Sequence, residues 1–374
     1  MKLKHIILFY PSMERGGVEE NLRHLIKYFT EKDIKVSLIS SNLNIGKLKI
    51  KKKNLNFIKN KSKFNYSLFP HRLITAIYSI RNLIRSFSKY KKENSVVFSM
   101  QSSMVSIIIS RIYGMKVVAR NSEDAIESTK YAKNYFLALI IFFLRFIIYN
   151  FAHGILTNSI GSKKSLELFV LNKKKITTIY NPYLLKIKKK NNTKKSNIIL
   201  SIGRLNKQKD FGTLILGFSK FVKKSPNYKL LILGDGPEKN KLKDLIIKLN
   251  LEDKIYLKGW IKNTDKYFLS AKIFILTSLY EGLGNVIIDA VNNEVPCIYT
   301  NCKSGPNEIL LGNKGGYQIN LRDSDTLSLK IEECLENYSK SKKMILLAKS
   351  KINRFYYKDV CPKYLSYLDN ICKS

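Results

Sequence analysis

Negative charge is what this chain has least of: 28 Asp and Glu stand against 67 Lys and Arg in 374 residues, a formal charge of +39. The excess is spread rather than gathered. Residues 1–182 hold 32 basic and 10 acidic side chains, a balance of +22, and the remainder holds 35 and 18, or +17. Nucleic-acid binders concentrate charge on one face or arm, so nucleic acid is the weakest partner reading. Lysines on solvated faces come first, then attraction to an anionic membrane surface and to anionic substrates. Cysteine is scarce too. The five cysteines (Cys297, Cys302, Cys334, Cys361, Cys372) are odd in number, and no CxxC pair or His/Cys cluster occurs. A disulfide framework and a zinc site are thereby excluded, and a reducing cytoplasm fits. No apolar run reaches the ~20 residues of a bilayer crossing. The run Ile6–Tyr10 ends at Pro11, too short for a secretory signal and suited to a first strand. The greasiest stretch, Tyr135–Tyr149, is interrupted by Arg145. It is expected to be a buried helix, with a helix resting on a membrane as the alternative.

What is present is an alternation. Short β-branched runs are separated by longer helical patterns, which argues for parallel sheets wound by right-handed crossovers. The first half offers Ile6–Phe9, Lys35–Ile39, Val96–Phe98, Lys116–Ala119, Ile155–Thr157 and Ile176–Ile179 as strands. The second offers Ile198–Ile202, Leu230–Leu233, Ile255–Leu257, Ile273–Leu276 and Pro296–Tyr299. Two Rossmann-like α/β domains follow, at 1–182 and 183–354, with the polar stretch Lys186–Ser196 as linker. The aromatic and aliphatic residues of Phe355–Ile371 fall at helical spacing, and this last segment is expected to pack back on the first domain. Lys47–Lys63 reads as a basic exposed loop.

The densest chemistry lies in residues 278–290, SLYEGLGNVIIDA. A strand, a glycine turn and a helix N-terminus make a place where backbone N–H groups meet a phosphorylated or polyhydroxylated ligand. Glu281 and Asp289, eight positions apart, accept hydrogen bonds from hydroxyls at separate points of it. Four further loops belong to the same sheet edge: Gly203-Arg204-Leu205 with Lys207 and Lys209, Leu233–Pro237, Gly259-Trp260, and Cys302–Ile309. Arg204 and Lys209 are suited to clamp a diphosphate, or else are surface charges among many. Trp260 either flanks a base or packs in the core. Arg15-Gly16-Gly17-Val18-Glu19 follows the first strand, and the spacing is not GxGxxG, so a dinucleotide fingerprint is absent.

Together GRL…K, LGDGP, GW, EGLGNVxxDA and SGPNEI resemble the retaining glycosyltransferases of the GT-B fold, family 4, densest from Leu200 to Leu311. The resemblance implies two Rossmann-like domains facing each other across a cleft. Arg204 and Lys209 would hold the donor diphosphate and Glu281 the donor sugar or its neighbouring phosphate. Gly203, Leu283, Gly284 and Asn285 would cradle sugar and phosphate, Asp289 the ribose, and Trp260 the base. Gly16 and Gly17 would close over the pyrophosphate from the other domain. Asp289 departs from the family's E-x7-E element, where a Glu stands. The family's first-domain His is also missing: the corresponding loop reads Arg120-Asn121-Ser122-Glu123. Asn121 is then a catalytic candidate, and Arg120, Ser122 and Glu123 are acceptor-side candidates. The nucleotide sugar, expected to be UDP-linked, is a co-substrate, and no metal or cofactor is implied. The implied product is a hexose or N-acetylhexosamine joined to a lipid-linked, lipopolysaccharide or capsule glycan at the inner face of the cytoplasmic membrane. A catalytically silent GT-B scaffold is the competing class, and a basic nucleic-acid binder the third.

Overall fold

A computed structural model describes residues 2–12, 17–41, 52–60, 71–88, 91–132, 134–189 and 195–374. It divides into two compact units, Met1–Leu185 with Phe355–Ser374, and Lys186–Arg354.

The first unit holds a seven-stranded sheet of β1 (His5–Phe9), β2 (Lys35–Ser40), β3 (Leu55–Lys59), β4 (Ser95–Ser99), β5 (Lys116–Asn121), β6 (Gly154–Thr157) and β7 (Ile176–Thr178). The order is β3-β2-β1-β4-β5-β6-β7, and every pairing is parallel. Parallel strands are buried on both faces, which is why HIILF and SVVFS read as continuous apolar runs. Successive side chains serve opposite layers. Ile6, Leu8, Val96, Phe98 and Val118 pack with the helices Gly17–Glu31 and Tyr357–Lys373. Ile7, Phe9, Val97, Val117 and Ala119 form the other core with Leu83, Ile107, Tyr149 and Phe169. The helix Tyr357–Lys373 buries Tyr364 and Leu368 in the first of these layers, and Asp369 Oδ1 accepts the N–H groups of Lys2 and Leu3, each at 2.9 Å.

The second unit holds β8 (Ile198–Ile202), β9 (Lys229–Leu233), β10 (Ile255–Leu257), β11 (Ile273–Leu276), β12 (Cys297–Thr300) and β13 (Tyr317–Ile319), in the order β10-β9-β8-β11-β12-β13, all parallel. The helices Phe211–Lys224, Lys239–Lys248 and Ser324–Glu336 cover one face around Ile199, Ile232, Ile275 and Ile298.

Three expectations are corrected. Part of the Lys47–Lys63 segment, Leu55–Lys59, is an edge strand rather than a loop, pairing with Val36–Ser40; residues 42–51 and 61–70 lie outside the described residues. β5 continues two residues past Ala119, because Arg120 and Asn121 pair with Leu156 and Thr157 of β6. The helix Tyr135–Tyr149 is not buried: Phe136, Phe143 and Ile147 are 74%, 63% and 55% exposed. No helix of the described residues is long and apolar enough to cross a membrane. All five cysteines are free and buried.

Candidate active site at the edge of the second sheet

β8 and β11 are neighbours, and the chain leaves them in opposite directions, toward β9 and β10 on one side and β12 and β13 on the other. In open α/β sheets such a switch point leaves a crevice at the carboxyl ends of the strands. Two loops border it. The loop after β8 passes Gly203 and the exposed Arg204 into the short turn Lys207–Lys209, where Asn206 Oδ1 accepts the Lys209 N–H at 3.3 Å. Asp210 then caps the next helix, accepting from Thr213 Oγ1 at 2.7 Å. The loop after β11 covers residues 277–284.

Hydrogen bonds fix these loops to one another. Thr277 Oγ1 donates to the carbonyls of Lys209 (3.1 Å) and Asp210 (3.0 Å), the Leu279 N–H to Gln208 O (2.8 Å), and Gln208 Nε2 to Tyr280 O (2.9 Å). Lys209 and Glu281 are thereby brought together, and Lys209 Nζ donates to Glu281 Oε1. Ser278 Oγ donates to the same oxygen at 2.7 Å, and Ser304 Oγ to the Glu281 carbonyl at 2.7 Å. Both partners are largely removed from solvent. A cation and a hydroxyl take the place of the water that this carboxylate loses on burial. The ammonium, a point charge on a flexible stem, can exchange its carboxylate for a phosphate oxygen. Gly203 lies under that stem: a Cβ there would stand 3.3 Å from Lys209 Cδ.

Gly284, at φ +82°, starts the helix Asn285–Asn292, and the positive end of that helix lies at this edge. Leu283 is buried, with its backbone against the turn at Gly305, where φ is +87° and a Cβ would fall 2.5 Å from Leu283 O. Asp289 is one turn further along the helix and half-buried. Gly234 N–H donates to Gly259 O at 2.7 Å, which sets the loops after β9 and β10 side by side. Trp260 follows, 50% exposed, so the core-packing reading fails. Asp235 accepts from the Gly236 N–H and from Lys239, and these bonds hold its carboxyl below the usual range. Asp323, of the late Asp-Ser-Asp triplet, caps the helix Ser324–Glu336 by accepting the Thr326 N–H at 2.9 Å.

In the first unit, Gly16 lies outside the described residues, and Gly17 is the first residue of its helix. Arg120 keeps the register of Val118 and so points into the layer of the C-terminal helix, where it is buried and donates to Asn181 Oδ1. Asn121 is buried with its amide donating to Glu123 O at 2.5 Å. Ser122 follows it, half-buried, and Glu123 sits 4.0 Å from the Arg145 guanidinium. The residues that sequence reasoning missed are Ser278, Ser304, Thr277 and Gln208. Ser278 and Ser304 lie inside segments the sequence singled out, 278–290 and Cys302–Ile309, without a role of their own, and Thr277 and Gln208 stand next to Ser278 and Lys209.

Residues 185–351 match the family model described as glycosyl transferases group 1. A glycosyltransferase of Methanocaldococcus jannaschii, itself uncharacterized, is 34% identical over 282 residues, 70% of this chain and 67% of the relative. The Campylobacter jejuni N-acetylgalactosamine-N,N'-diacetylbacillosaminyl-diphospho-undecaprenol 4-alpha-N-acetylgalactosaminyltransferase is 30% identical over 292 residues, covering 75% of this chain and 79% of the relative. The chain belongs to the group 1 glycosyltransferases. Solved structures agree on the fold of this glycosyltransferase. Anabaena HepE in complex with UDP and glucose superimposes with a TM-score of 0.79 at 17% identity, covering 98% of this chain and 100% of that one. Sucrose-phosphate synthase from Thermosynechococcus elongatus gives 0.81 at 15% identity, covering 98% and 99%. The architecture is GT-B, two parallel-sheet Rossmann-like units.

Proposed function

We propose that this glycosyltransferase is a retaining enzyme that moves a hexose or N-acetylhexosamine from a UDP-sugar to a lipid-linked glycan of the cell surface. The observation that carries the reading is the Lys209–Glu281 pair at the switch point of the second sheet, with Arg204 on the same loop as Lys209 and a helix N-terminus at the same edge. Relatives and neighbours support the ligands: the Campylobacter enzyme acts on a diphospho-undecaprenol acceptor, and Anabaena HepE holds UDP and glucose.

In this reading Lys209 and Arg204 take the diphosphate, and Glu281, released from part of its ion pair, accepts hydrogen bonds from the sugar. The bond from the anomeric carbon to the β-phosphate oxygen breaks toward an oxocarbenium-like state. The acceptor hydroxyl attacks from the same face, and its proton passes to the departing phosphate. Two cationic side chains and a helix dipole stabilise the leaving charge without a divalent ion. Asp289 binds the ribose and Trp260 borders the base. Asn121 lies at the carboxyl end of the first sheet as the polar group nearest in role to the family's His. In this reading the enzyme works at the inner face of the cytoplasmic membrane, as a membrane-borne acceptor would require.

The test is turnover of a UDP-sugar panel with an undecaprenyl-diphosphate glycan, read with product anomer by NMR. One UDP-sugar is expected to be consumed with retention, and Arg204→Ala to lower kcat by about a hundredfold. An inverted product would refute retention. Full activity in Arg204→Ala would refute the site.

A further inference from the structure

The helix Tyr135–Tyr149 is built the wrong way round for a protein in water. Its single charged side chain, Arg145, turns inward toward Glu123, 16% exposed, while Phe136, Ile140, Phe143, Leu144 and Ile147 form an outward stripe. A helix apolar all round belongs in a core or in lipid, and only one side of this one, with Phe142, Ile148 and Tyr149, reaches a core. It is not alone. The helix Ser103–Ile112 packs beside it and exposes Ile108 and Ile112, the latter to 70%, followed by Tyr113. The helix Ile80–Ser88 packs against that one in turn, and with Ile77 and Tyr78 of the helix His71–Tyr78 it forms an open groove edged by Arg81 and Arg85. Leu83, Ile107 and Tyr149 all enter the same core, so these helices cover one face of the first sheet.

The charge on this layer is sorted by type. The chain has 56 lysines and 11 arginines, yet these four helices hold five of the arginines, no lysine and no acid. Elsewhere lysine outnumbers arginine by 56 to 6. Composition drift would have placed lysines here too. Arginine is weakly hydrated, forks onto phosphate oxygens and lets its stem lie along apolar surface. Cationic forks without acids, among exposed aromatic and aliphatic side chains, complement a layer of anionic phosphodiesters over acyl chains.

We propose that the outer surface of the helices Ile80–Ser88, Ser103–Ile112 and Tyr135–Tyr149 docks in the plane of an anionic lipid bilayer. The apolar stripe enters the headgroup boundary, and Arg81, Arg85 and Arg111 bind lipid phosphates. This extends the reading of a lipid-linked acceptor but is tested apart from it, with vesicles that contain no acceptor.

The experiment is flotation of the full chain with phosphatidylcholine vesicles, alone or with about one-third phosphatidylglycerol. Binding is expected to the anionic vesicles and to weaken with salt. The triple variant Phe136→Ser, Phe143→Ser, Ile147→Ser should weaken it by about tenfold or more. Arg81→Gln, Arg85→Gln, Arg111→Gln should weaken it by about a hundredfold. Lys241→Gln, Lys243→Gln, Lys248→Gln, which removes the same charge from the second unit, should change it by less than about twofold. Phe143→Trp gives a reading that needs no disruptive change: brominated lipid should quench the added indole. The proposal is overturned by absence of binding to anionic vesicles, by equal loss in the lysine variant, or by an unquenched indole. It is also overturned if the apolar variant instead abolishes a concentration-dependent dimer of a chain that does not float. UDP-sugar turnover on a soluble acceptor should survive the apolar variant. Vesicle binding without any turnover would sink the transferase reading and leave the surface standing.

Discussion

Glu281 would be costly without its neighbours, since a buried carboxylate that loses its partners leaves an uncompensated charge. Lys209 and Ser278 offset that cost at the carboxylate, Ser304 holds the Glu281 carbonyl, and this support explains what the sequence disclosed. Glu281 and Lys209 stood out because an acid before a glycine turn and a cation on a strand-end loop are unusual types in telling places. Ser278 and Ser304 did not, because serine is ordinary in any loop. His153 gives the residue scale its own prediction. Its Nδ1 accepts the Val117 N–H at 3.1 Å, and Arg111 lies 3.0 Å from Nε2. Burial, then Arg111, Lys116 and Lys175, lower its pKa from 6.5 to about 4. Between those values the unfolded chain binds a proton that the folded chain does not. The stability from keeping His153 neutral is therefore complete above pH 6.5 and lost as pH falls toward 4. Thermal melts from pH 7 to 4.5 should show a shallower decline for His153→Gln than for the unsubstituted chain.

Among elements, the central strands were legible because parallel sheets demand continuous apolar runs, as in HIILF and IFIL. The strand LNFIK was not: at the sheet edge it alternates, and its Lys- and Asn-rich surroundings look like loop. YQI, three residues beside two glycines, gives too short a pattern to read. The exposure of the helix Tyr135–Tyr149 was hidden for a different reason, since apolar periodicity reports greasiness and not what covers it. The strand-end turns make a sharper prediction. Gly234, at φ +150°, faces Gly203, and a Cβ on it would fall 1.8 Å from the Gly203 carbonyl oxygen, where backbone meets backbone and nothing can rotate away. Gly234→Ala should cost about 3 kcal/mol or more. Gly259→Ala has φ +70° and open space, so only the left-handed backbone resists it, at about 1–2 kcal/mol. Chemical denaturation of the two variants should separate them by that difference.

At the scale of the molecule, the two units differ in how they use the chain. The second is one continuous stretch, Lys186–Arg354, while the first is completed by Phe355–Ser374. Tyr357, Val360, Cys361, Tyr364, Leu365, Leu368 and Cys372 all enter its core. Seven such side chains contribute on the order of 10 kcal/mol, comparable to the whole stability of a domain. Deleting residues 355–374 should therefore unfold the first unit and spare the second, leaving a protease-resistant fragment near residues 186–354 in place of the intact chain. The same fastening bears on synthesis. Asp369 binds the N–H groups of Lys2 and Leu3, so residues made before the second unit wait for residues made after it before the first unit is finished. The second unit, Lys186–Arg354, can close while residues 355–374 are still inside the exit tunnel. The order of translation and the order of folding are thus reversed, and for that interval the nascent first unit shows the apolar face meant for the helix Tyr357–Lys373 to whatever chaperone is near.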